Sequence, residues 1–228
     1  MGEPSQELSA DDIDLNDLPF PLTAIDREIL ATKDEDYHLT TWEDLKHIIA
    51  TNTLEQLKRL PSDLRRYLAW SHNIKRSHGS ITSYVIHERL HWKPLITTSA
   101  PTFSHSSSTP FSDPRDYVVL LNDWPYGLAP GITHLLVWSK TPIATDQERG
   151  DVTEASRKVI EEFVERYFVE EMMRAEGSDE SREAAREKVL WFKNWVSLQS
   201  VRGVDHVHIL VRDAPEAVLE KWTRRYDF

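Results

Sequence analysis

The sequence predicts an α+β protein, in which an antiparallel sheet packs against a long helix and a helical segment precedes the sheet. Two β-branched, apolar segments in the middle of the chain and two more near its end have the length and composition of strands. Between the two pairs, residues 153–173 carry apolar side chains at three- and four-residue spacing, which is typical of an amphipathic helix. Strands, then a helix, then strands favour this class over alternating parallel units.

Composition places the chain among compact globular proteins. It has 228 residues, 39% hydrophobic, with eight Trp and no Cys, so a substantial core is available while disulfide and thiol chemistry are excluded. No apolar run approaches the roughly 18 residues of a membrane helix, and the first residues lack the pattern of a signal peptide. We therefore expect a cytoplasmic protein without a membrane partner.

The charge of −11 is concentrated at the N-terminus. Residues 1–36 hold eleven acids against Arg27 and Lys33, a net of −9, which leaves −2 for the remainder. The rest of the chain is nearly neutral and shows no basic stripe, so we expect no nucleic-acid partner. A small anionic ligand is still compatible with this balance, because a few local cations suffice to bind one.

Four segments follow from these shifts in composition. Residues 1–36 are predicted to be a flexible acidic tail, and residues 37–97 to be helical. Residues 98–115 are rich in Ser, Thr and Pro and are predicted to be a loop that acts as a mobile flap. Residues 116–228 form the predicted α+β core, in one compact domain with residues 37–97.

The helical segment carries several start and stop signals. A short helix is expected from Ile25, and another after Thr40 or Thr41, where acids fill the first turn. Further helices are expected after Ser62 and over 81–92, separated by a Gly that ends the first of them. This region is rich in cations and aromatic residues, and two hypotheses remain open for it. Its helices either pack with solvated charges or contribute Arg76, His78 and Arg89 to a pocket.

The four strands are predicted at 116–122, 133–139, 189–196 and 205–212. Because side chains alternate along a strand, His206, His208 and Leu210 share one face of the last strand. Two imidazoles above an apolar second face are one way in which a sheet presents a reactive histidine. The alternative is a structural strand with two hydrogen-bonded or solvated histidines.

These segments resemble the histidine triad (HIT) superfamily. The stretch from Asn122 through Ala129-Pro130-Gly131 to Lys140 is similar to its first half, and Asn194 to Leu210 is similar to its second half. The resemblance covers residues 116–212 and implies a HIT-like antiparallel sheet with a long packed helix. A second resemblance, to the fungal N-acetylglucosamine-induced protein family, covers most of the chain from about residue 40. It depends on five blocks: Trp70-Ser71, Gly79-Ser80-Ile81, Glu88 to Trp92, Asn122 to Tyr126 and Asp205 to His208.

The HIT resemblance implies roles for individual residues. His208 matches the nucleophile, which would attack phosphorus and form a phosphohistidine, and His206 would position a phosphate oxygen. Asn194 and Ser200 match positions that hydrogen-bond phosphate or sugar. The sequence departs from the pattern at Leu210, where the third histidine and its proton would be expected. The remaining predicted ligand-binding residues are His134, Asn122, Trp124, Tyr126, Arg89 and Arg76.

The function predicted from these residues is that of an enzyme acting on a phosphorylated or nucleotide-type small molecule, with no cofactor and no resident metal. One alternative is a module that binds a nucleotide or sugar without turnover. Another is an isomerase or cyclase of fungal specialised metabolism, since a fold does not fix a reaction. A third uses His134, His206 and His208 as metal ligands. The sequence makes no prediction about oligomeric state.

Overall fold

The computed structural model describes residue 9 and residues 22–96, 101–146, 148, 150–176 and 181–224. Most of the predicted acidic tail lies outside these residues. Residues 24–30, which the sequence assigned to that tail, form the short helix α1 (Ala24–Leu30). Its Ile29 and Leu30 are buried against Leu64, so the packed part of the chain extends beyond the predicted boundary at residue 37.

The N-terminal helices begin and end where the sequence carries the corresponding signals. Helix α2 (Trp42–Ala50) starts at Thr41, whose hydroxyl accepts from the Asp44 amide in a capping box. Helix α3 (Pro61–His78) has Pro in its first turn and ends at Gly79, which has a φ of +76°. Ser80 then caps α4 (Ile81–Tyr84), which continues as a π-helical turn over Val85–Leu90. The predicted helix 81–92 is thus present in two forms.

Four strands form one antiparallel sheet in the order β1-β2-β4-β3. They are β1 (Tyr117–Leu121), β2 (Ile132–Ser139), β3 (Val189–Phe192) and β4 (Asp205–Arg212). The α+β class is therefore confirmed. The predicted strand 189–196 is wrong at its end, because pairing with β4 stops at Phe192 and the chain turns at residues 196–198. This early departure brings Asn194 beside the middle of β4.

One face of the sheet packs against the C-terminal helices. These are α5 (Glu154–Val164), a π-helical turn (Glu165–Val169), α6 (Glu170–Glu176), α7 (Arg182–Arg186) and α8 (Glu216–Thr223). The long helix predicted over 153–173 is thus continuous but widened at its centre. Val207, Ile209 and Val211 of β4 are at most 1% exposed and join the same apolar cluster as Ile160 and Phe163. Each such side chain contributes about 1.5–3 kcal/mol by burial.

The other face of the sheet is covered by α2, α3, α4 and the turns between them. On this face Leu136 and Trp138 of β2 pack against Ile81 and Val85. The histidines of β4 alternate with its core residues and therefore point toward this N-terminal layer. The face of the sheet that carries the histidines thus lies between the strands and the helices that precede them.

The predicted flap is anchored where the structure describes it. Phe103 and Phe111 are buried, at 6% and 1% exposure, in the clusters on opposite faces of the sheet. The carboxylate of buried Asp116 accepts hydrogen bonds from the amides of Ser106 and Ser107 at 2.7–2.9 Å. Residues 101–113 are therefore held at both ends by packing and by a buried carboxylate.

Candidate functional site

A cavity of about 470 Å³ lies between the sheet and the N-terminal helices. Its size suits a small molecule, and its walls combine aromatic surface with a few polar groups, as ligand sites commonly do. His206 and His208 line it from β4, and Arg59 lines it from the turn before α3. The aromatic lining residues are Tyr67, Trp70, Tyr84, Trp124, Tyr126 and Trp138.

His208 is fixed by contacts on every side. Its imidazole stacks on Phe192 with ring centroids 4.6 Å apart and planes 7° apart. Its Nδ1 lies 2.9 Å from His134 Nε2, and its Nε2 lies 3.1 Å from Asn194 Nδ2. Because an amide N–H only donates, His208 Nε2 is the acceptor and Nδ1 carries the proton that His134 accepts. Both ring nitrogens of the predicted nucleophile are therefore engaged.

His134 lies beneath His208 and does not line the cavity. In the register of the sheet it stands directly opposite Leu210. A third imidazole is thus supplied by the neighbouring strand, next to the position at which the HIT resemblance lacks one. Leu210 itself is fully buried in an apolar cluster with Phe192 and does not face the cavity.

His206 has one ring nitrogen that the structure leaves open. Its Nδ1 lies 2.9 Å from the Val204 carbonyl oxygen, which only accepts, so Nδ1 carries the proton. In the neutral ring Nε2 then holds a lone pair, and it makes no hydrogen bond to any residue that the structure describes. Trp138 packs against this imidazole at a centroid distance of 4.4 Å. His206 is therefore the cavity histidine with an uncommitted lone pair.

Burial keeps all three imidazoles neutral at pH 7. Desolvation, reinforced by the Arg59 charge, lowers the pKa of His134 to about 3. Desolvation lowers the pKa of His206 to about 4, although the hydrogen bond to Val204 opposes the shift. The pKa of His208 is well below its usual range for the same main cause, with further contributions from His134 and His206. The site therefore offers imidazole lone pairs rather than imidazolium protons.

Three buried side-chain atoms in the described part of the chain have no hydrogen-bond partner, and their residues all line this cavity. They are Asn194 Oδ1, Trp124 Nε1 and Arg59 Nε. An unpaired buried polar atom costs about 1–3 kcal/mol, so such atoms are rare away from functional sites. Their concentration on the lining of one cavity indicates a surface that a polar ligand completes.

The turn between β1 and β2 contributes a wall of the cavity, and Ser200 lies on the lining with it. Asn122 Oδ1 accepts from the Trp124 amide at 3.0 Å and so fixes the turn. Tyr126 Oη accepts from Asn194 Nδ2 at 3.1 Å, and burial raises the pKa of this phenol. The structure therefore brings these predicted residues together with His206 and His208.

The two predicted arginines, Arg76 and Arg89, do not both join this group of residues in the way that the sequence predicts. Arg76 lies on the exposed surface of α3 and is not on the cavity lining, because the helix turns that side chain away from the sheet. Arg89 lines the cavity, but its guanidinium donates to both oxygens of Asp123 at 2.7 and 2.8 Å. The structure thus does not bring Arg76 to this cavity, and the charge of Arg89 is already neutralised.

Arg59 is a site residue that the sequence did not indicate. It follows Lys58 in a short turn between two helical segments, where a pair of cations is ordinarily a solvated surface feature. In the structure its guanidinium carbon lies 4.0 Å from the centroid of Tyr67, on the cavity wall. Only the tertiary packing of α3 against the sheet reveals this position.

The metal-ligand hypothesis can be compared with the same geometry. Within the described ranges, no group of three His, Asp or Glu side chains is placed to hold a metal ion. His134 and His208 are hydrogen-bonded to one another.

No helix in the described part of the chain is long and apolar enough to cross a membrane.

The fold and the site define an α+β protein with a histidine-lined cavity. Residues 41–212 match the family described as protein of unknown function DUF3605, so the chain belongs to that family. It is 29% identical over 192 residues to N-acetylglucosamine-induced protein 1 of Candida albicans, covering 79% of this chain and 71% of the relative. The resemblance to the fungal N-acetylglucosamine-induced protein family is thereby confirmed.

Two further comparisons agree. Uncharacterized protein YPL067C of Saccharomyces cerevisiae is 27% identical over 185 residues, which are 81% of this chain and 85% of that protein. The crystal structure of HTC1 superimposes with a TM-score of 0.57 at 26% identity and covers 79% of this chain and 91% of its own. The arrangement of helices and sheet is therefore shared with a solved structure.

Proposed function

We propose that this protein is a small-molecule enzyme with a HIT-like site, which transfers a phosphoryl-type group through a neutral imidazole in the cavity. The observation that carries this proposal is the position of His206 and His208 on the lining, with pKa values held far below 7. A neutral imidazole at a phosphorus centre is a nucleophile that divides one displacement into two.

The hydrogen bonds favour His206 over His208 as that nucleophile. His208 uses both nitrogens, whereas His206 Nε2 holds a free lone pair while Nδ1–H is held by Val204. Attack by Nε2 would form an N–P bond as the bond from phosphorus to the leaving oxygen breaks. The Val204 carbonyl would then stabilise the positive ring. His208, fixed by Asn194 and His134, would act as a positioning residue.

The neutral state of the imidazoles also limits which leaving groups can depart. No imidazole in the cluster carries a second proton at pH 7, and Leu210 supplies none. A leaving group that is stable as an anion, such as a phosphate released from a phosphoanhydride, departs without a general acid. The proposed substrates are therefore nucleotides and sugar nucleotides rather than simple alkyl phosphate esters.

A thermal-shift screen followed by product analysis tests this function. Nucleotides, sugar nucleotides and sugar phosphates form the panel, and amino-sugar derivatives are included because the C. albicans relative is named for induction by N-acetylglucosamine. A ligand that binds only the folded protein raises its melting temperature by mass action. We expect a stabilising phosphoanhydride that is consumed on incubation. Stabilisation only by phosphate-free metabolites would contradict the proposal.

A binding module without turnover is the second candidate, and one observation favours it. His208 has no free nitrogen, and none of the three imidazoles can donate a second proton near pH 7. Under this alternative the stabilising ligand would be recovered unchanged after long incubation. Product analysis of the same samples therefore separates the two candidates.

A further inference from the structure

The cation Arg59 stands out because the structure leaves its charge unpaired. No carboxylate and no hydrogen-bond acceptor among the described residues contacts its guanidinium, and its buried Nε has no partner. The two other cations on the described lining are paired: Lys58 lies 3.9 Å from Glu28, and Arg89 is held by Asp123. Among the described lining residues, Arg59 is therefore the cation that no carboxylate contacts.

None of the described acids on the lining forms an ion pair with Arg59. The Asp26 carboxylate accepts from the amide and hydroxyl of Thr23 in the capping box of α1, Asp123 is engaged by Arg89, and Glu55 is exposed to solvent. This is notable in a chain whose overall charge is −11. A partly buried guanidinium loses hydration, so the structure is stabilised when an anion replaces the lost water.

The other unpartnered atoms specify what must accompany the anion. Trp124 Nε1 is a donor, and its ring lies 5.5 Å from Tyr67, the ring on which Arg59 packs. Asn194 Oδ1 is an acceptor on a side chain that is only 7% exposed, and it lies on the side of the cavity formed by the sheet. A complementary ligand therefore offers acceptor oxygens to Arg59 and Trp124 and a hydroxyl or amino donor to Asn194.

Aromatic side chains of the lining supply a surface for a flat or ring-shaped group. Trp70 and Trp124 lie 5.1 Å apart between centroids, and Tyr84 packs edge-on against Trp70 at 5.4 Å. Aromatic faces of this kind pack against pyranose rings and nucleobases through apolar contact. The charge at Arg59 and the ring surface together describe a ligand that joins an anionic group to a flat or ring-shaped group.

We infer that Arg59 is the specificity residue of this cavity and that it binds an oxyanion, phosphate or carboxylate, carried by a hydroxylated small molecule whose donor reaches Asn194. This inference rests on the proposed function only in using the same cavity. A guanidinium offers parallel N–H donors that match a phosphate or carboxylate bidentately. Arg59 thus selects the ligand by charge, while the histidines act on it.

Three hexose probes test the inference: glucose, glucose 6-phosphate and glucuronate, with inorganic phosphate as a fourth probe. Binding is read by isothermal titration and by the fluorescence of the cavity tryptophans. We expect both anionic sugars to bind wild type about 10- to 100-fold more tightly than glucose, as a charge-assisted hydrogen bond would produce. In Arg59→Met this advantage should disappear, whereas Arg59→Lys should keep part of it.

Lys58→Met is the matched control, because it removes the same charge from the adjacent residue, where Glu28 already pairs it. The control should keep the wild-type preference within about twofold, and Arg59→Gln repeats the test if the Met variant folds poorly. Tighter binding of glucose 6-phosphate than of glucuronate assigns the subsite to phosphate, and the reverse order assigns it to carboxylate.

Three results overturn the inference: no binding by any probe, no preference for the anions, or equal losses in the Lys58 and Arg59 variants. The proposed function fails separately. A wild-type protein that binds the anionic probes through Arg59 but turns over no phosphoanhydride supports the inference and rejects the enzyme. His206→Ala should lose turnover while keeping the anion preference.

Discussion

The two faces of the sheet differ although the same strands build both. On one face Ile209 and its neighbours in β4 are buried against the C-terminal helices in an apolar cluster. On the other face β4 presents His206 and His208 beside a cavity with unpaired polar atoms. The comparison shows how one strand serves core and site: the apolar face stabilises the fold and offsets the cost of leaving the other face incomplete.

The largest expected effect comes from removing the free lone pair of His206 from the cavity face of the sheet. His206→Ala should lower turnover of a phosphoanhydride substrate on the order of 10³-fold or more, because no second side chain replaces a nucleophile. Intact-mass spectrometry should find a covalent phosphoryl adduct in wild type and none in the variant. An adduct that persists in His206→Ala but is lost in His208→Ala would return the nucleophile to His208.

The matched change on the apolar face is Ile209→Ala, three residues along the same strand. Its side chain is fully buried, so we expect the free energy of unfolding to fall by about 2–5 kcal/mol. Ligand affinity of the folded variant should stay near that of wild type, because Ile209 does not line the cavity. Urea unfolding and titration calorimetry check the two halves. A large loss of affinity at full stability would show that the faces are not independent.

A third prediction concerns the buried neutral histidines. The pKa of His206 is about 4 in the folded protein, against an ordinary 6.5, because burial disfavours the charged ring. Between these pH values the unfolded chain binds more protons than the folded protein does. The contribution of the neutral His206 to the free energy of unfolding is therefore complete above pH 6.5 and is lost as the pH falls toward 4. The burial of His206 alone makes the free energy of unfolding depend on pH by roughly 3 kcal/mol. The urea midpoint of His206→Asn should therefore depend less on pH than that of wild type, and equal dependence would contradict the burial effect.

The smallest expected effect belongs to His208→Ala. Truncation leaves His134 Nε2 and Asn194 Nδ2 with one partner fewer and removes the ring that stacks on Phe192. Unpaired buried groups of this kind cost about 1–3 kcal/mol. Thermal and urea unfolding should therefore show a destabilised protein. Truncation of a strand residue that faced an open cleft would instead leave the stability unchanged. An unchanged midpoint would indicate that water replaces the imidazole.

Alternation and capping made most of the fold predictable from sequence. The β-branched, apolar composition located β1, β2 and β4, and Thr41, Pro61, Gly79 and Ser80 set helix ends through local hydrogen bonds and backbone preference. The end of β3 was missed because Lys193 and Asn194 continue a strand-like sequence. The strand is ended by tertiary contacts, because the Asn194 side chain is hydrogen-bonded to Tyr126 and His208.

The site was only partly predictable for a similar reason. The histidines of β4 share a face by local geometry, so His206 and His208 could be grouped from sequence alone. Register between strands could not be read, and it is register that places His134 opposite Leu210 and against His208. Arg59 depends on how α3 crosses the sheet, which no local pattern specifies.

The central claim is that His206 is a neutral imidazole with a free Nε2 in the cavity, and its ring nitrogens report this directly. Two-bond ¹H–¹⁵N NMR spectra of histidine-labelled protein, assigned with His206→Asn, should show a protonated Nδ1 and an unprotonated Nε2. These signals should stay constant from pH 5 to 8, because burial lowers the pKa of this residue to about 4. A His206 signal that titrates near 6.5, or one with the proton on Nε2, would contradict the account.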